Sequence, residues 1–458
     1  MTPVIILFEY NSKVPLYIQL YNNIKASIER GERVAGDRLP SLRELAEDLE
    51  VSLTTVSGAY NQLAVEGYIV NKPGSGYYVS DTITEFSAIA YKDELEYDED
   101  WEAADYPYLS DLSCFDFGKW KKCTAEVLND HSDLLLFESD PQGELVLRQE
   151  IAKYLRNFRG VSTSPEEIVI SAGTQQTTLH LCRILSKLNI STVSVETPGY
   201  LPVQRIFSDD GFRINHIPVE ADGIDVDLLP ANISSAVYVS PSNQFPTGSI
   251  MPVGKRYKLI QWAENNDSYI LEDDYDSELR YFGKPVQALS GLDKFDRVIY
   301  LGSFSSTLFP AIKISYMVLP KKLAEIFREI KMDYSQTCSK AEQLTLALFM
   351  EKGYYQTGIK KLRKLYSTKL GLALAAIEKY SGGMIVPTNT NSGINIILKV
   401  KYDRSSQELC DAAKELGIQV LPVSLITDQN TKALAFYYNQ IPLGDLDSKI
   451  KELIDTWK

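Results

Sequence analysis

From about residue 111 to the C-terminus, short runs of β-branched and aromatic residues alternate with helical stretches. This alternation is typical of an α/β domain with a mostly parallel sheet, because parallel strands need long crossover connections. The pattern predicts strands at 168–170, 193–195, 236–239, 269–271 and 298–301. It predicts helices at 174–188, 200–210 and 254–265, a mainly helical stretch at 335–380, and a smaller C-terminal α/β unit with strands near 394–400 and 433–438.

The acidic residues of the chain are concentrated in one short stretch. Of the formal net charge of −14, −9 falls within residues 81–110, which include the run YKDELEYDEDWEAAD. Such a run is usually a solvated linker. We therefore expect a compact domain at 1–80, an acidic linker at 81–108 and the α/β domain at 109–458.

The cysteines and histidines argue against a disulfide-stabilised protein and against a metalloprotein. The five cysteines are scattered without a CxxC pair, which indicates reduced thiols and a cytoplasmic location. The three histidines lack ligand spacing, so we expect no metal site. No apolar run approaches the roughly 18 residues that a membrane helix needs, so we expect no contact with a membrane.

Residues 1–80 carry helix signals followed by a hairpin. Pro15 begins a first helix and Gly31 ends it. Ser41 and Glu44 form a capping box for a second helix over 42–49, and Ser52 caps a third. The segment 68–79 contains two strands around a Pro-Gly turn. Two helices joined by a tight turn, with a hairpin after them, predict a winged helix-turn-helix, although a protein-interaction module has the same pattern.

The segments PLYIQLYNNIKASIERG, RLPSLRELAEDLEVSLTTV and AYNQLAVEGYIVNKPGSGYYV resemble the GntR-type bacterial regulators over 13–80. The family often has arginine and asparagine where this chain has Leu53 and Thr54, so base contacts are expected to differ. The near-neutral charge of the domain predicts weak non-specific binding. An alternative interpretation of the acidic run is a segment that competes with DNA for the N-terminal domain. The resemblance implies that eight residues face double-stranded operator DNA: Ser41, Arg43, Thr54, Thr55, Tyr60, Lys72, Gly74 and Ser75.

The α/β domain resembles the fold-type I aminotransferases, which use pyridoxal 5'-phosphate. Matching segments include DPQGELVLRQEIAKYLRNFRGV, EEIVISAGTQQTTL, VETPGY, YVSPSNQFPTG, LEDDYDSELRY and VIYLGSFSSTLFPAIKISYMVLP. Together with the GntR-like domain they resemble the MocR class of regulators, in which a winged helix precedes such a domain. The fold class implied is therefore a winged helix-turn-helix plus a transferase-like fold with a large, mostly parallel-sheet domain and a small C-terminal α/β domain.

The resemblance also implies a cofactor pocket. Asp273 would face the pyridine nitrogen, Tyr275 the ring hydroxyl, and Tyr200 would stack on the ring. The N-terminus of a helix would bind the phosphate, as helix N-termini do. The remaining pocket residues implied are Gly173, Thr174 and Gln175 at that terminus, Ser303 and Ser305 beside it, and Ser306 and Lys313.

Three positions depart from the aminotransferase pattern. Ser306 stands where the resemblance places the Schiff-base lysine, and a hydroxyl cannot form that bond. Lys313 replaces a phosphate-binding arginine and loses its bidentate fork. The segment 431–436 lacks the arginine that would bind a substrate carboxylate, for which Lys432 would be a poor substitute. We therefore expect no catalytic residues, and pyridoxal phosphate bound non-covalently or not at all.

Three hypotheses follow from these departures. The first is a homodimeric transcriptional regulator whose pocket binds a small-molecule effector without catalysis. The second is a pyridoxal phosphate-dependent aminotransferase with an accessory DNA-binding domain, using Lys313 for the covalent bond. The third is a DNA-binding scaffold without any ligand. The residues at 306 and 431–436 argue against the second, and retention of Asp273 and its neighbours argues against the third.

Overall fold

The computed structural model describes residues 8–9, 12–81, 111–281, 286–423 and 431–458. The chain divides into two compact units, 1–102 and 103–458. Apart from Asp81, the predicted linker 81–108 lies outside the described residues. Among the described helices, none is long and apolar enough to cross a membrane.

The N-terminal unit contains three helices and a hairpin, as predicted: α1 (Leu16–Glu29), α2 (Leu42–Asp48), α3 (Leu53–Val65), β1 (Ile69–Lys72) and β2 (Gly76–Val79). The predicted capping box is present, because Ser41 accepts from the Glu44 amide and the Glu44 side chain accepts from the Ser41 amide. Ser52 accepts from the Thr55 amide and so caps α3. The core of this unit contains Leu20, Ile24, Leu45, Val56, Ala59, Tyr60, Leu63, Ile69 and Val79.

The large unit is built on a sheet of eight strands in the order β3-β10-β9-β8-β7-β4-β5-β6. Strands β9, β8, β7, β4 and β5 are parallel to one another, whereas β10 runs antiparallel to both β3 and β9, and β6 runs antiparallel to β5. The strands are β3 (Ile168–Ala172), β4 (Thr192–Thr197), β5 (Arg213–Glu220), β6 (Gly223–Ile224), β7 (Ala236–Val239), β8 (Tyr269–Asp273), β9 (Val298–Ser303) and β10 (Ile314–Val318). All five predicted strands of this sheet are present; β5, β6 and β10 were not predicted.

Helices connect and cover this sheet: α4 (Phe117–Asp130), α5 (Leu145–Phe158), α6 (Gly173–Lys187), α7 (Leu201–Asp209), α8 (Val253–Asn265) and α9 (Lys321–Ile330). The predicted helical stretch 335–380 is two helices, α10 (Lys340–Glu351) and α11 (Tyr354–Ser381). The chain turns between them at Gly353, whose φ of +71° lies in the left-handed region that favours glycine.

The C-terminal part forms a four-stranded antiparallel sheet in the order β11-β12-β14-β13. Its elements are β11 (Ile385–Thr388), β12 (Ile396–Val400), α12 (Ser406–Glu415), β13 (Val420–Val423), β14 (Lys432–Phe436) and α13 (Leu446–Trp457). One face packs against α11, α12 and α13 in a core that includes Leu398, Leu434, Phe436 and Trp457. Here, too, a strand pair predicted from the sequence is extended by strands that were not.

Candidate functional site

One edge of the large sheet collects the polar residues of the candidate site. Strands β4, β8 and β9 are in the same parallel group and end at Thr197, Asp273 and Ser303. Strand β10 is antiparallel, with Ile314 opposite Ala172 and Ser315 opposite Ser303, so its first residues reach the same edge. Carboxyl ends of strands in open α/β sheets are where ligands bind.

A cavity of about 590 Å³ opens at this edge, a size typical of small-molecule sites. The ten residues implied by resemblance all line it: Gly173, Thr174, Gln175, Tyr200, Asp273, Tyr275, Ser303, Ser305, Ser306 and Lys313. Six further residues complete the lining: Ala172, Ser240, Phe245, Ile394, Asn395 and Tyr437. Segments far apart in the chain therefore meet around one space.

The part of the cavity at the start of α6 is suited to an anion. The N-cap of this helix is Ala172, which has no side-chain acceptor for the first-turn amides. Free amides and the helix dipole both favour negative charge there. Lys313 lies beside the terminus, because a Cβ on Gly173 would be 3.8 Å from its Cδ. The ammonium of Lys313 forms no ion pair with any residue that the structure describes.

Asp273 supplies a buried carboxyl to the same cavity. The Tyr238 hydroxyl donates a hydrogen bond to its Oδ2, and burial raises the pKa of Asp273 to about 7. Glu196 lies fully buried nearby, where its Oε2 accepts from the Ser240 amide at 3.3 Å and from the Gln244 side chain at 3.2 Å. Burial also raises the pKa of Glu196, to about 8. A cation beside Asp273 would lower its pKa and be held by it.

Aromatic side chains form a wall of the cavity. Tyr200 is 39% exposed. Phe245 packs edge-on against both Tyr200 and Tyr275, at centroid distances of 6.2 and 6.4 Å. The Tyr275 hydroxyl accepts from Asn243 Nδ2 at 3.4 Å. Burial raises the pKa of both tyrosines, so both remain protonated donors at neutral pH.

The other acidic residues of the segment after β8 are used to hold it in place. Arg159 Nε donates to Asp274 Oδ2 at 2.7 Å, and the two side chains are almost fully buried. The Tyr300 hydroxyl donates to the same oxygen at 2.5 Å. Asn243 Nδ2 donates to both carboxyl oxygens of Asp276. Neither Asp274 nor Asp276 lines the cavity, whereas Asp273 does.

The small sheet contributes Ile394, Asn395 and Tyr437, none of which is charged. The idea that Lys432 substitutes for a carboxylate-binding arginine is wrong. The ammonium of Lys432 donates instead to the Tyr402 carbonyl at 2.8 Å, and the side chain is not part of the cavity lining.

In the N-terminal unit, most of the predicted DNA-contacting residues lie at the surface. Ser41, Arg43, Thr54, Lys72, Gly74 and Ser75 are exposed and Thr55 is half-buried. The prediction that Tyr60 faces DNA is wrong. Tyr60 is 0% exposed, lies in the core and donates to the Pro40 carbonyl at 3.0 Å. A side chain inside the core cannot reach a DNA groove, so Tyr60 supports the helices instead.

Sequence reasoning missed a basic residue beside the hairpin. Arg38 pairs with Tyr78 as an isolated bridge, and its guanidinium is within 3.8 Å of the Cβ position at Gly76. It is exposed and forms no ion pair with the described residues. Its position in the segment RLPSLRE, five residues before Arg43, could have identified it from the sequence.

Comparison with known proteins agrees with both halves of this description. Residues 16–79 match the model of the gntR family of bacterial regulatory proteins, and residues 99–428 match that of aminotransferase class I and II. The chain is 39% identical over 454 residues to the HTH-type transcriptional regulator YdeL of Bacillus subtilis, covering 97% of each protein. It is 31% identical to the probable rhizopine catabolism regulatory protein MocR of Rhizobium meliloti, covering 92% of this chain and 88% of that one. The chain belongs to the MocR-type family of transcriptional regulators.

Among solved structures, the kynurenine aminotransferase of Pyrococcus horikoshii superimposes with a TM-score of 0.65 at 25% identity, covering 78% of this chain and 91% of that chain. The large unit of this MocR-type regulator therefore has the fold-type I aminotransferase fold. The predicted fold class, the winged helix-turn-helix and the family are all confirmed.

The cavity of the regulator fits the cofactor that its fold implies. Uncapped α6 amides, serine hydroxyls and Lys313 offer donors for a phosphate, and Asp273 offers an acceptor for a protonated ring nitrogen. Sequence reasoning missed the six other lining residues, among them Phe245 and the three residues of the small sheet. Phe245 was visible within SPSNQFPTG, whereas Asn395 and Tyr437 reach the cavity only through the packing of the C-terminal sheet.

Proposed function

We propose that this regulator binds operator DNA through its N-terminal unit and reversibly binds a phosphorylated pyridine compound in the cavity as an effector, without catalysis. The observation that carries this proposal is the pairing of a buried carboxyl, Asp273, with an uncapped helix terminus in one cavity. A ligand with an anionic end and a protonated ring nitrogen satisfies both ends.

Each group of lining residues has a part in holding the ligand. The α6 amides, Ser303, Ser305 and Lys313 bind the phosphate, and Asp273 accepts from the ring nitrogen. Tyr200 covers the ring and Tyr275 donates to its hydroxyl oxygen. Pyridoxal phosphate, when bound to a lysine, supplies an electron sink for carbanion chemistry. At position 306 this chain offers a hydroxyl, which holds the ligand by hydrogen bonding only.

The alternative is an aminotransferase that uses Lys313 as the covalent lysine. Two observations favour a regulator that binds an effector without catalysis. Lys313 is adjacent to the start of α6, where its charge complements a phosphate. Among the described residues that line the cavity, no arginine is present to bind a substrate carboxylate.

A trapping experiment tests the ligand and the absence of covalent attachment. Pyridoxal 5'-phosphate is added to the purified protein, borohydride follows, and peptides are analysed by mass spectrometry. We expect saturable binding that dialysis reverses and no modified lysine in the cavity. Ser306→Lys is expected to gain a modification at residue 306 under the same conditions.

Lys313→Gln tests the contact proposed between Lys313 and the phosphate of the ligand. It is expected to lose affinity for pyridoxamine 5'-phosphate about tenfold, because a charge-assisted hydrogen bond to phosphate is lost. A borohydride-stable adduct on Lys313 of the parent would contradict the proposal that the ligand binds without covalent attachment.

We also propose a homodimer that binds two half-sites on DNA. Several large apolar side chains are exposed within a short segment of the large unit, which marks an interaction surface. These are Leu128, Leu134, Leu136, Phe137, Leu145 and Val146. Leu136 and Phe137 are the most exposed of them, at 84% and 70%.

The double substitution Leu136→Glu and Phe137→Glu is expected to dissociate the dimer, because two charges would be buried without partners. Light scattering over a range of concentrations measures the mass of parent and variant, and footprinting measures the protected DNA. Leu228→Glu, at another exposed leucine of the large unit, is the control and should leave the dimer intact. A parent protein that is monomeric at all concentrations contradicts the proposal.

A further inference from the structure

The loop before β12 places Asn395, a residue with an unsatisfied side-chain amide, in the lining of the cavity. Asn395 is 4% exposed and lines the cavity. Its Nδ2 is buried and has no hydrogen-bond partner among the described residues. An amide donor left unpaired in a buried position is destabilising, so Asn395 favours a hydrogen-bond partner from outside the chain.

The backbone around Asn395 is held firmly, so the unpaired amide is not the result of a loose loop. The Gly393 carbonyl accepts from the hydroxyls of Tyr281 and Tyr438, at 2.5 and 2.8 Å. The Gly393 amide donates to the Leu279 carbonyl at 3.0 Å. The Ser392 hydroxyl donates to Asn243 Oδ1 at 3.0 Å. The loop is thereby tied to the segment that carries Asp273 and Tyr275.

The surroundings of Asn395 determine the kind of group that it can bind. Its neighbours in the lining from the small sheet, Ile394 and Tyr437, carry no charge, and burial raises the pKa of Tyr437 to about 12. The one cation among the described lining residues is Lys313, at the start of α6. A carboxylate against the small sheet would lose water without gaining a cation, whereas a neutral carbonyl needs only the amide donor.

We propose that Asn395 binds the effector directly, donating to an uncharged acceptor such as a carboxamide oxygen on the part of the ligand that faces the small sheet. This inference rests on the proposed function and specifies its ligand: a phosphorylated pyridine that bears a neutral hydrogen-bond acceptor in place of a carboxylate. The preference for a neutral group is opposite to that expected of a cavity with an arginine on this wall.

Two matched probes test this inference by calorimetry. N-(5'-phosphopyridoxyl)glycinamide and N-(5'-phosphopyridoxyl)glycine share the phosphate, ring and secondary amine, and differ only in carboxamide against carboxylate. We expect the parent protein to bind the glycinamide probe about tenfold more tightly. Equal or tighter binding of the glycine probe overturns the inference, while binding of either probe still supports the proposed function.

Substitutions then assign the preference to Asn395. Asn395→Leu is expected to reduce the preference to about threefold or less, and Asn395→Arg to reverse it. Asn391→Leu is the control, because Asn391 lies on the same loop but is exposed and outside the lining. A preference that survives in Asn395→Leu overturns the role of Asn395. If neither probe binds the parent, the proposed function fails together with this inference.

Discussion

The two units of this regulator carry their candidate sites in opposite ways. In the N-terminal unit, seven of the eight predicted DNA-contacting residues are exposed or half-buried at the surface, while the core beneath them is apolar. In the large unit the site is a cavity, and buried ionised and polar groups hold its walls. A residue of a surface site can be replaced with little change in stability. A cavity site, in contrast, depends on the buried groups that also stabilise the fold.

This contrast predicts different costs of substitution in the two units. Buried polar groups must keep their partners, because an unpaired charge in the interior is far more costly than one in water. Around the cavity, Arg159, Asp274 and Tyr300 form such a group, and none of them lines the cavity. Substitutions there should act on stability first, and those at the predicted DNA-contacting residues on affinity alone.

The largest expected effect is the loss of the buried ion pair below the cavity. Arg159→Met leaves the Asp274 carboxylate buried without its cation and should lower the free energy of unfolding by about 3–5 kcal/mol. Urea denaturation of the large unit measures this. The control is Lys258→Met, which removes an exposed pair with Asp227 and should cost less than about 1 kcal/mol. Similar effects of both substitutions would remove the contrast between cavity and surface.

The same difference between a surface site and a cavity site explains how much of each could be predicted from the sequence. The cavity residues were identified from motifs, and all ten line the cavity because they lie at or near strand ends that meet at one edge of the sheet. Asn395 was missed because it depends on how the small sheet packs on the segment after β8, which no local pattern encodes. Tyr60 was wrongly placed because it is on the same face of α3 as Val56 and Leu63, which are core residues.

A medium effect is expected at the predicted DNA-contacting residues and sharpens the contrast. Arg43→Ala should lower operator affinity roughly 10- to 100-fold, because one charged contact is lost, without changing the free energy of unfolding. Tyr60→Phe should do the reverse: it loses the hydrogen bond to Pro40, costs about 1 kcal/mol of stability, and leaves the affinity of the folded protein unchanged. Fluorescence anisotropy at several salt concentrations, with melting curves alongside, measures both.

The last effect depends on pH and concerns a buried acid that does not line the cavity. Burial raises the pKa of Glu196 to about 8, above the ordinary value for a glutamate. Between about pH 5 and pH 8 the unfolded chain has released this proton while the folded protein retains it, so rising pH lowers stability across that window. Glu196→Gln removes this dependence, because a glutamine does not titrate.

We therefore expect Glu196→Gln to gain stability relative to the parent at pH 8 compared with pH 5, by about 1 kcal/mol or more. Denaturant unfolding of parent and variant at both pH values measures the difference. Glu378→Gln, at an exposed position on α11, is the control and should show the same change with pH as the parent. A Glu196→Gln variant whose stability runs parallel to the parent from pH 5 to pH 8 would mean that Glu196 is ionised in the folded protein. The hydrogen bonds from the Ser240 amide and the Gln244 side chain would then outweigh burial at this acid, and the contrast between the two units would rest on the buried ion pair of Arg159 and Asp274.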